Sequence, residues 1–139
     1  MQNLNYGVIG NCSTAALISE KGAIEWLCFP EFDSPSVFAA ILDRQKGGHF
    51  GFKVTSDYKV TQSYVPHTNI LSTHFESEEG AFDVVDFMPC YPTSDGKDFY
   101  RPAEIYRYIR WAKGRPRMKV DYRPAPNYAR GKTIYNVTS

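Results

Sequence analysis

Turn signals arrive roughly every eight to twelve residues along this chain, a spacing that leaves no room for long helices. The runs between them are dominated by aromatic and β-branched residues, which suit a pleated, half-buried surface. Glu20-Lys21-Gly22 separates the runs 15–19 and 24–28 as a compact hairpin. Glu78-Glu79-Gly80 does the same for 70–77 and 81–88, and Lys113-Gly114-Arg115-Pro116 for 104–112 and 118–123. In the run 49–54, alternation puts Phe50, Phe52 and Val54 on one face, and in 58–64 it groups Tyr58, Val60 and Tyr64. Consecutive antiparallel hairpins imply a meander or a β-sandwich rather than a parallel sheet. The fold expected is therefore an all-β, antiparallel β-sandwich.

One segment departs from the hairpin rhythm. Residues 24–29 form an apolar, aromatic strand that Pro30 ends, because proline cannot donate to a strand ladder. Ser34-Pro35 then reads as an N-cap followed by proline at the first helical position. Val37, Phe38, Ile41 and Leu42 recur at helical spacing, and Gly47-Gly48 closes the segment. The spacing predicts one short helix over residues 36–43. Between Pro89 and Pro102 lies a long stretch of turn chemistry without an apolar period, read as an irregular loop.

The words Ile24-Glu25-Trp26-Leu27-Cys28-Phe29-Pro30-Glu31-Phe32-Asp33-Ser34-Pro35-Ser36-Val37-Phe38, with the upstream run from Tyr6 to Ile18, resemble the opening of the glucoamylase- and trehalase-like glycoside hydrolases of family fifteen. Val84-Val85-Asp86-Phe87-Met88-Pro89 and the stretch from Arg123 to Arg130 resemble the same N-terminal region, so the likeness runs across almost the whole chain. The resemblance implies a β-sandwich followed by a separate helical barrel that holds the two catalytic glutamates of an inverting α-glucosidase. On that basis residues 1–139 are an N-terminal β-sandwich domain, the catalytic barrel lies outside them, and no catalytic residue is assigned here. The run 133–137 reads as a further strand whose partner is expected past Ser139, which would leave the sandwich cut short at its C-terminal end.

Bulk properties narrow the function classes. A chain of 139 residues is one domain's worth. A formal net charge of +1 supplies no field for nucleic acid or for an anionic membrane, and no apolar run nears the ~20 residues of a spanning helix. With no basic region leading into an apolar stretch at the start, the expected home is cytoplasmic. Cys12, Cys28 and Cys90 fit neither a zinc ribbon nor a redox pair and are expected to stay reduced. His49, His67 and His74 share no metal-ligand spacing, so neither a metal nor another cofactor is expected.

Hydrolysis of a glycosidic bond normally takes two facing carboxyl groups. Here Glu78 and Glu79 sit at a hairpin tip, and Asp83 and Asp86, three apart on one strand, point to opposite faces. Asp33 is the acid with two readings: a turn or cap carboxylate, or a group that joins Trp26 and Phe32 at the border of the barrel's sugar-binding cleft. Phe32, in a proline-braced loop, is expected to be exposed in an apolar patch with Phe29 and Pro30, available to the barrel or to a second copy. Arginines and aromatics interleave from Tyr100 to Arg123. Alternation puts Tyr106, Tyr108 and Arg110 on one face, and Ile105, Ile109 and Trp111 on the other, which would be core. Three roles remain open: a non-catalytic domain that packs on the barrel and shapes its cleft, a carbohydrate-binding module for α-glucan or trehalose, and a structural assembly domain.

Overall fold

A computed structural model describes residues 5–55, 57–131 and 133–134. Twelve strands and one short helical turn occur among them. The strands are β1 (Tyr6–Gly10), β2 (Ala15–Ser19), β3 (Ile24–Cys28), β4 (Ser36–Phe38), β5 (His49–Lys53), β6 (Lys59–Tyr64), β7 (Leu71–Glu76), β8 (Gly80–Phe87), β9 (Tyr91–Pro92), β10 (Phe99–Tyr100), β11 (Tyr106–Gly114) and β12 (Lys119–Arg123). One sheet runs β1-β2-β3-β5-β12, with β4 also paired to β3; the other runs β11-β8-β7-β6. Every pairing is antiparallel. The all-β sandwich expected from the hairpin spacing is what forms, but the hairpin expected around Lys113-Gly114-Arg115-Pro116 does not. β11 pairs with β8 in one sheet and β12 with β5 in the other, so the turn carries the chain across between the sheets and places strand faces on both sides of the core.

Apolar residues from the inner faces fill the space between the sheets. Ile9, Ala16, Ile18, Ile24, Leu27, Phe38, Leu71 and Met88 make one buried cluster, and Phe75, Phe82 and Val84 a second. Phe75 and Phe82 stack with ring centroids 4.6 Å apart and planes 3° from parallel. Each such side chain taken fully out of water contributes about 1.5–3 kcal/mol. Along β8 the inner face carries Phe82, Val84 and Asp86, and its outer face Ala81, Asp83, Val85 and Phe87, as a period of two requires.

The edge formed by β1 and β6 is stitched shut. Tyr64 uses one hydroxyl twice, accepting from the Val8 N–H at 2.7 Å and donating to the Val8 carbonyl at 2.9 Å. Nearby, the Asn69 amide donates to the Gly10 carbonyl at 2.7 Å, and the Gln62 amide to the Ser19 carbonyl at 3.2 Å.

The helix expected over residues 36–43 does not form. Ser36–Phe38 is instead a strand on the edge of β3, with Phe38 opposite Leu27 and both in the core. Turns follow: the Leu42 and Asp43 N–H groups reach back to the Ala39 carbonyl, and the Asp43 carboxylate accepts from the Gln45 and Lys46 N–H groups. Pairing with β3 satisfies the backbone of 36–38 while burying Phe38. Eight residues of helix would be marginal by themselves and would lose that pairing. The one short helical element is Pro126–Ala129, and Asn127, Tyr128 and Ala129 there all have positive φ, making it a left-handed turn. The long segment 89–102, read as irregular, contains the two-residue pairing of β9 with β10. Residues 135–137 of the expected terminal strand lie outside the described residues.

Candidate functional site

The loop 29–35 carries Phe32 and Asp33, and its shape is set by backbone hydrogen bonds and by a neighbouring loop. Within it, the Ser34 N–H donates to the Glu31 carbonyl at 3.1 Å, and the Ser34 hydroxyl accepts from the Glu31 N–H at 3.0 Å. The Phe32 N–H donates to the Ser13 carbonyl at 3.0 Å, which ties the loop to residues 11–14. Those four residues turn around Asn11, whose buried side-chain oxygen accepts from the Ser13 and Thr14 N–H groups at 3.0 Å each. The Asn11 amide also donates to the Pro102 carbonyl at 3.1 Å, and the Thr14 hydroxyl to the Cys28 carbonyl at 2.6 Å. Asn11 and Thr14 are thus buried polar residues with their hydrogen bonds made, as interior polar groups must be. They join three loops at one end of the sandwich.

On that rigid base Phe32 projects into solvent with 63% of its surface exposed. Glu31, Asp33 and Pro30 are exposed beside it in sequence, while Phe29 is half-buried and packs against the first core cluster. Among the described residues no side chain pairs with the Asp33 carboxylate. Trp26 is placed differently. It stands on the outer face of β3 opposite Leu17, half-buried, with its ring 6.3 Å from that of Tyr128. The chain after β12 folds back over it: the Ala125 N–H donates to the Val37 carbonyl at 2.9 Å, and the Tyr128 N–H to the Ser36 hydroxyl at 3.0 Å. Phe32 and Asp33 therefore share one exposed loop, whereas Trp26 lies beneath the protein's own C-terminal turn.

The buried carboxylates are occupied with structure. Asp86 is fully buried on the inner face of β8 and is held by Arg107 of β11, whose Nε and Nη2 donate to it at 2.7 and 3.1 Å. Arg107 also donates to the Phe50 carbonyl of β5 and to the Gly22 carbonyl in the turn between β2 and β3, and its guanidinium lies 4.8 and 5.0 Å from the Phe50 and Phe52 rings. Burial pushes the Asp86 carboxyl up, and the Arg107 pairing opposes that shift. Asp83, on the outer face, accepts from His74 at 2.6 Å and from Arg110 at 3.0 and 2.8 Å. Burial pushes its carboxyl up, but the His74 and Arg110 hydrogen bonds win and hold it low. Asp121 on β12 sits in a groove of about 410 Å³ on the outer face of the first sheet, among His49, Lys53 and Arg123. Burial again acts upward, and hydrogen bonds from His49, Arg123 and Lys53 hold the Asp121 carboxyl well below the usual range.

These ion pairs escaped the sequence reading, although β11 carried a signal. Arg107 shares its strand face with Ile109 and Trp111, and a cation on an apolar face asks for a buried acid. Among the described residues no three His, Cys, Asp or Glu side chains gather as a metal site, and no helix is long and apolar enough to cross a membrane. Cys12, Cys28 and Cys90 are free thiols.

A family model described as "Trehalase-like, N-terminal" matches residues 5–138. The chain belongs to this family. Among relatives of this trehalase-like N-terminal domain, the trehalase of Thermoplasma volcanium is 36% identical over 132 residues, which is 93% of this chain and 20% of that protein. The trehalase of Thermoplasma acidophilum is 38% identical over 116 residues, covering 81% of this chain and 19% of that one. Trehalase 1 of Sulfolobus acidocaldarius reaches 51% over 85 residues, or 60% and 14%. The chain thus spans a fifth or less of the length of these relatives. No solved structure matches it.

Proposed function

We propose that this chain is the non-catalytic N-terminal sandwich of a cytoplasmic α-glucoside hydrolase of the trehalase or glucoamylase type. It packs on a C-terminal catalytic barrel and shapes the entrance to its substrate cleft. The observation that carries the reading is the match over nearly the whole chain to only a fifth of a much longer trehalase. The carboxylates support it. Asp83, Asp86 and Asp121 are committed to ion pairs, and Asp83 and Asp86 occupy opposite faces of one strand. Such groups cannot flank one glycosidic bond as an acid and a base.

The loop 29–35 is the surface offered to the barrel. A phenylalanine held out on a hydrogen-bonded base loses no conformational freedom of the backbone when a partner covers it. Asp33, exposed and without a counter-ion among the described residues, can accept sugar hydroxyls at the cleft border. The test is kinetic, on the gene product extended through its catalytic part. Asp33→Asn should raise KM for trehalose or maltooligosaccharide while leaving thermal stability unchanged. Phe32→Ser should weaken the docking of the two domains, seen as a split of one unfolding transition into two. Unaltered kinetics and a single unshifted transition for both variants would remove the loop from the cleft and from the interface.

A further inference from the structure

The two sheets do not match in width at one side of the sandwich. β12 extends the first sheet beyond β5, but β11 is the last described strand of the second sheet, and Arg107 of β11 already lies over Phe50 and Phe52 of β5. Register identifies what this leaves uncovered. Val120 and Tyr122 stand directly opposite Phe52 and Phe50, so they share the inner face. Trp111 and Ile109 stand opposite Phe82 and Val84, which are wholly buried, so they too face inward. Yet Ile109, Trp111, Val120 and Tyr122 are 40%, 67%, 49% and 52% exposed. The expectation that Ile109 and Trp111 belong to the core holds for the direction they face and fails for their burial.

Beside this lip runs the free edge of β11. At nine residues it is the longest strand, and among the described residues it is paired on one side only, with β8. A long strand edge with open N–H and C=O groups is a template for another strand. The opposite side of the sandwich shows how this fold finishes an edge, with Tyr64, Asn69 and Gln62 bonding across it.

We infer that the free edge of β11 receives a β-strand from polypeptide C-terminal to residue 139, which covers Trp111, Val120 and Tyr122. The inference rests on the reading of this chain as one domain of a longer protein, whose relatives are about five times its length. The alternative occupant is a second copy pairing its own β11 across a two-fold axis. Arg107, Arg110 and Lys113 of β11 are each already paired with an acid of β7 or β8, so charge does not decide between the two and the dilution arm of the test below does. The strand that fits has apolar residues at alternate positions for the lip and neutral or acidic residues on its other face.

Thiol labelling of the extended gene product tests this, in a background with Cys12→Ser and Cys90→Ser. Trp111→Cys and Val120→Cys probe the lip, Phe32→Cys probes the loop 29–35, and Thr61→Cys, exposed on the outer face of β6, is the reference. Both lip probes should label at least tenfold more slowly than Thr61→Cys. Labelling of the lip at the reference rate overturns the inference. If the lip is open while Phe32→Cys is protected, the strand is refuted and the docking role of the loop stands; the reverse pattern refutes docking alone. Lip protection that fades on dilution assigns the edge to a second copy and also overturns the inference. Should a lip variant fail to fold, amide exchange in the unsubstituted protein decides: slow exchange at successive residues along β11 supports a strand on both sides, and rapid exchange at alternate residues contradicts it.

Discussion

Replacing Arg107 with methionine should cost more stability than any surface change in this domain. The methionine fills much of the same volume, so the loss is electrostatic rather than a cavity. It leaves the Asp86 carboxylate buried without its counter-ion and strips a donor each from the Phe50 and Gly22 carbonyls. Breaking a buried pair from one side costs about 3–5 kcal/mol. Against a total of roughly 5–15 kcal/mol for an ordinary domain, that is a large fraction. In urea, where such domains lose about 1–3 kcal/mol per molar denaturant, the midpoint should fall by on the order of 2 M. The pH dependence gives the cause. Burial already pushes the Asp86 carboxyl up, and without Arg107 nothing opposes that shift, so the group takes up a proton as pH falls. The deficit of Arg107→Met should therefore shrink as pH falls from neutral toward the ordinary carboxylate range, whereas a packing defect would not respond. Replacing both partners, Arg107→Met with Asp86→Leu, should recover most of the loss. Equilibrium unfolding followed by tyrosine and tryptophan fluorescence measures all three. A loss below about 1 kcal/mol for Arg107→Met, or a deficit independent of pH, would refute the reasoning.

Gly47→Ala should destabilise by at least ~2 kcal/mol, because its Cβ would fall 2.2 Å from the Ala39 carbonyl oxygen, a backbone atom that cannot step aside; thermal unfolding checks it. Acid should weaken the domain through Asp83 and Asp121, whose folded carboxyls lie below the ordinary value of 3.8. Their stabilisation is complete above that value and is lost as pH falls through the lowered folded values, so Asp121→Asn should flatten the acid limb of a stability-versus-pH curve. Phe32→Ser in the 139-residue chain should leave its unfolding free energy within about 0.5 kcal/mol of the parent, since an exposed side chain contributes little to the fold; a larger loss would make Phe32 part of the core.

Hairpins with a clear turn and strict alternation were legible in the sequence. β2 and β3 begin and end where Glu20-Lys21-Gly22 places them, and β7 and β8 follow their turn signal within a residue. β11 and β12 stop at the expected turn without pairing with each other, because a turn signal marks where a strand ends and not which sheet the next one joins. Weak local signals hid the rest. β1 has glycines at both Gly7 and Gly10, and the absence of a side chain at Gly7 lets Leu71 pack against it from the other sheet. β4 is three residues long, too short for any period, and its pairing with β3 decided against the helical spacing of Val37, Phe38, Ile41 and Leu42. Of the candidate site, the exposure of Phe32 followed from its isolation between Glu31 and Asp33. The covering of Trp26 by Tyr128 did not, because it depends on a left-handed turn about a hundred residues downstream.

On the proposal above, the hydrolytic chemistry lies outside these 139 residues. The direct measurement is glucose release from trehalose, maltose and soluble starch by the purified 139-residue chain, beside the gene product extended through its catalytic part. Turnover is expected from the extended protein and none above background from the 139-residue chain. Sustained turnover by the 139-residue chain, abolished by Asp33→Asn, would contradict it.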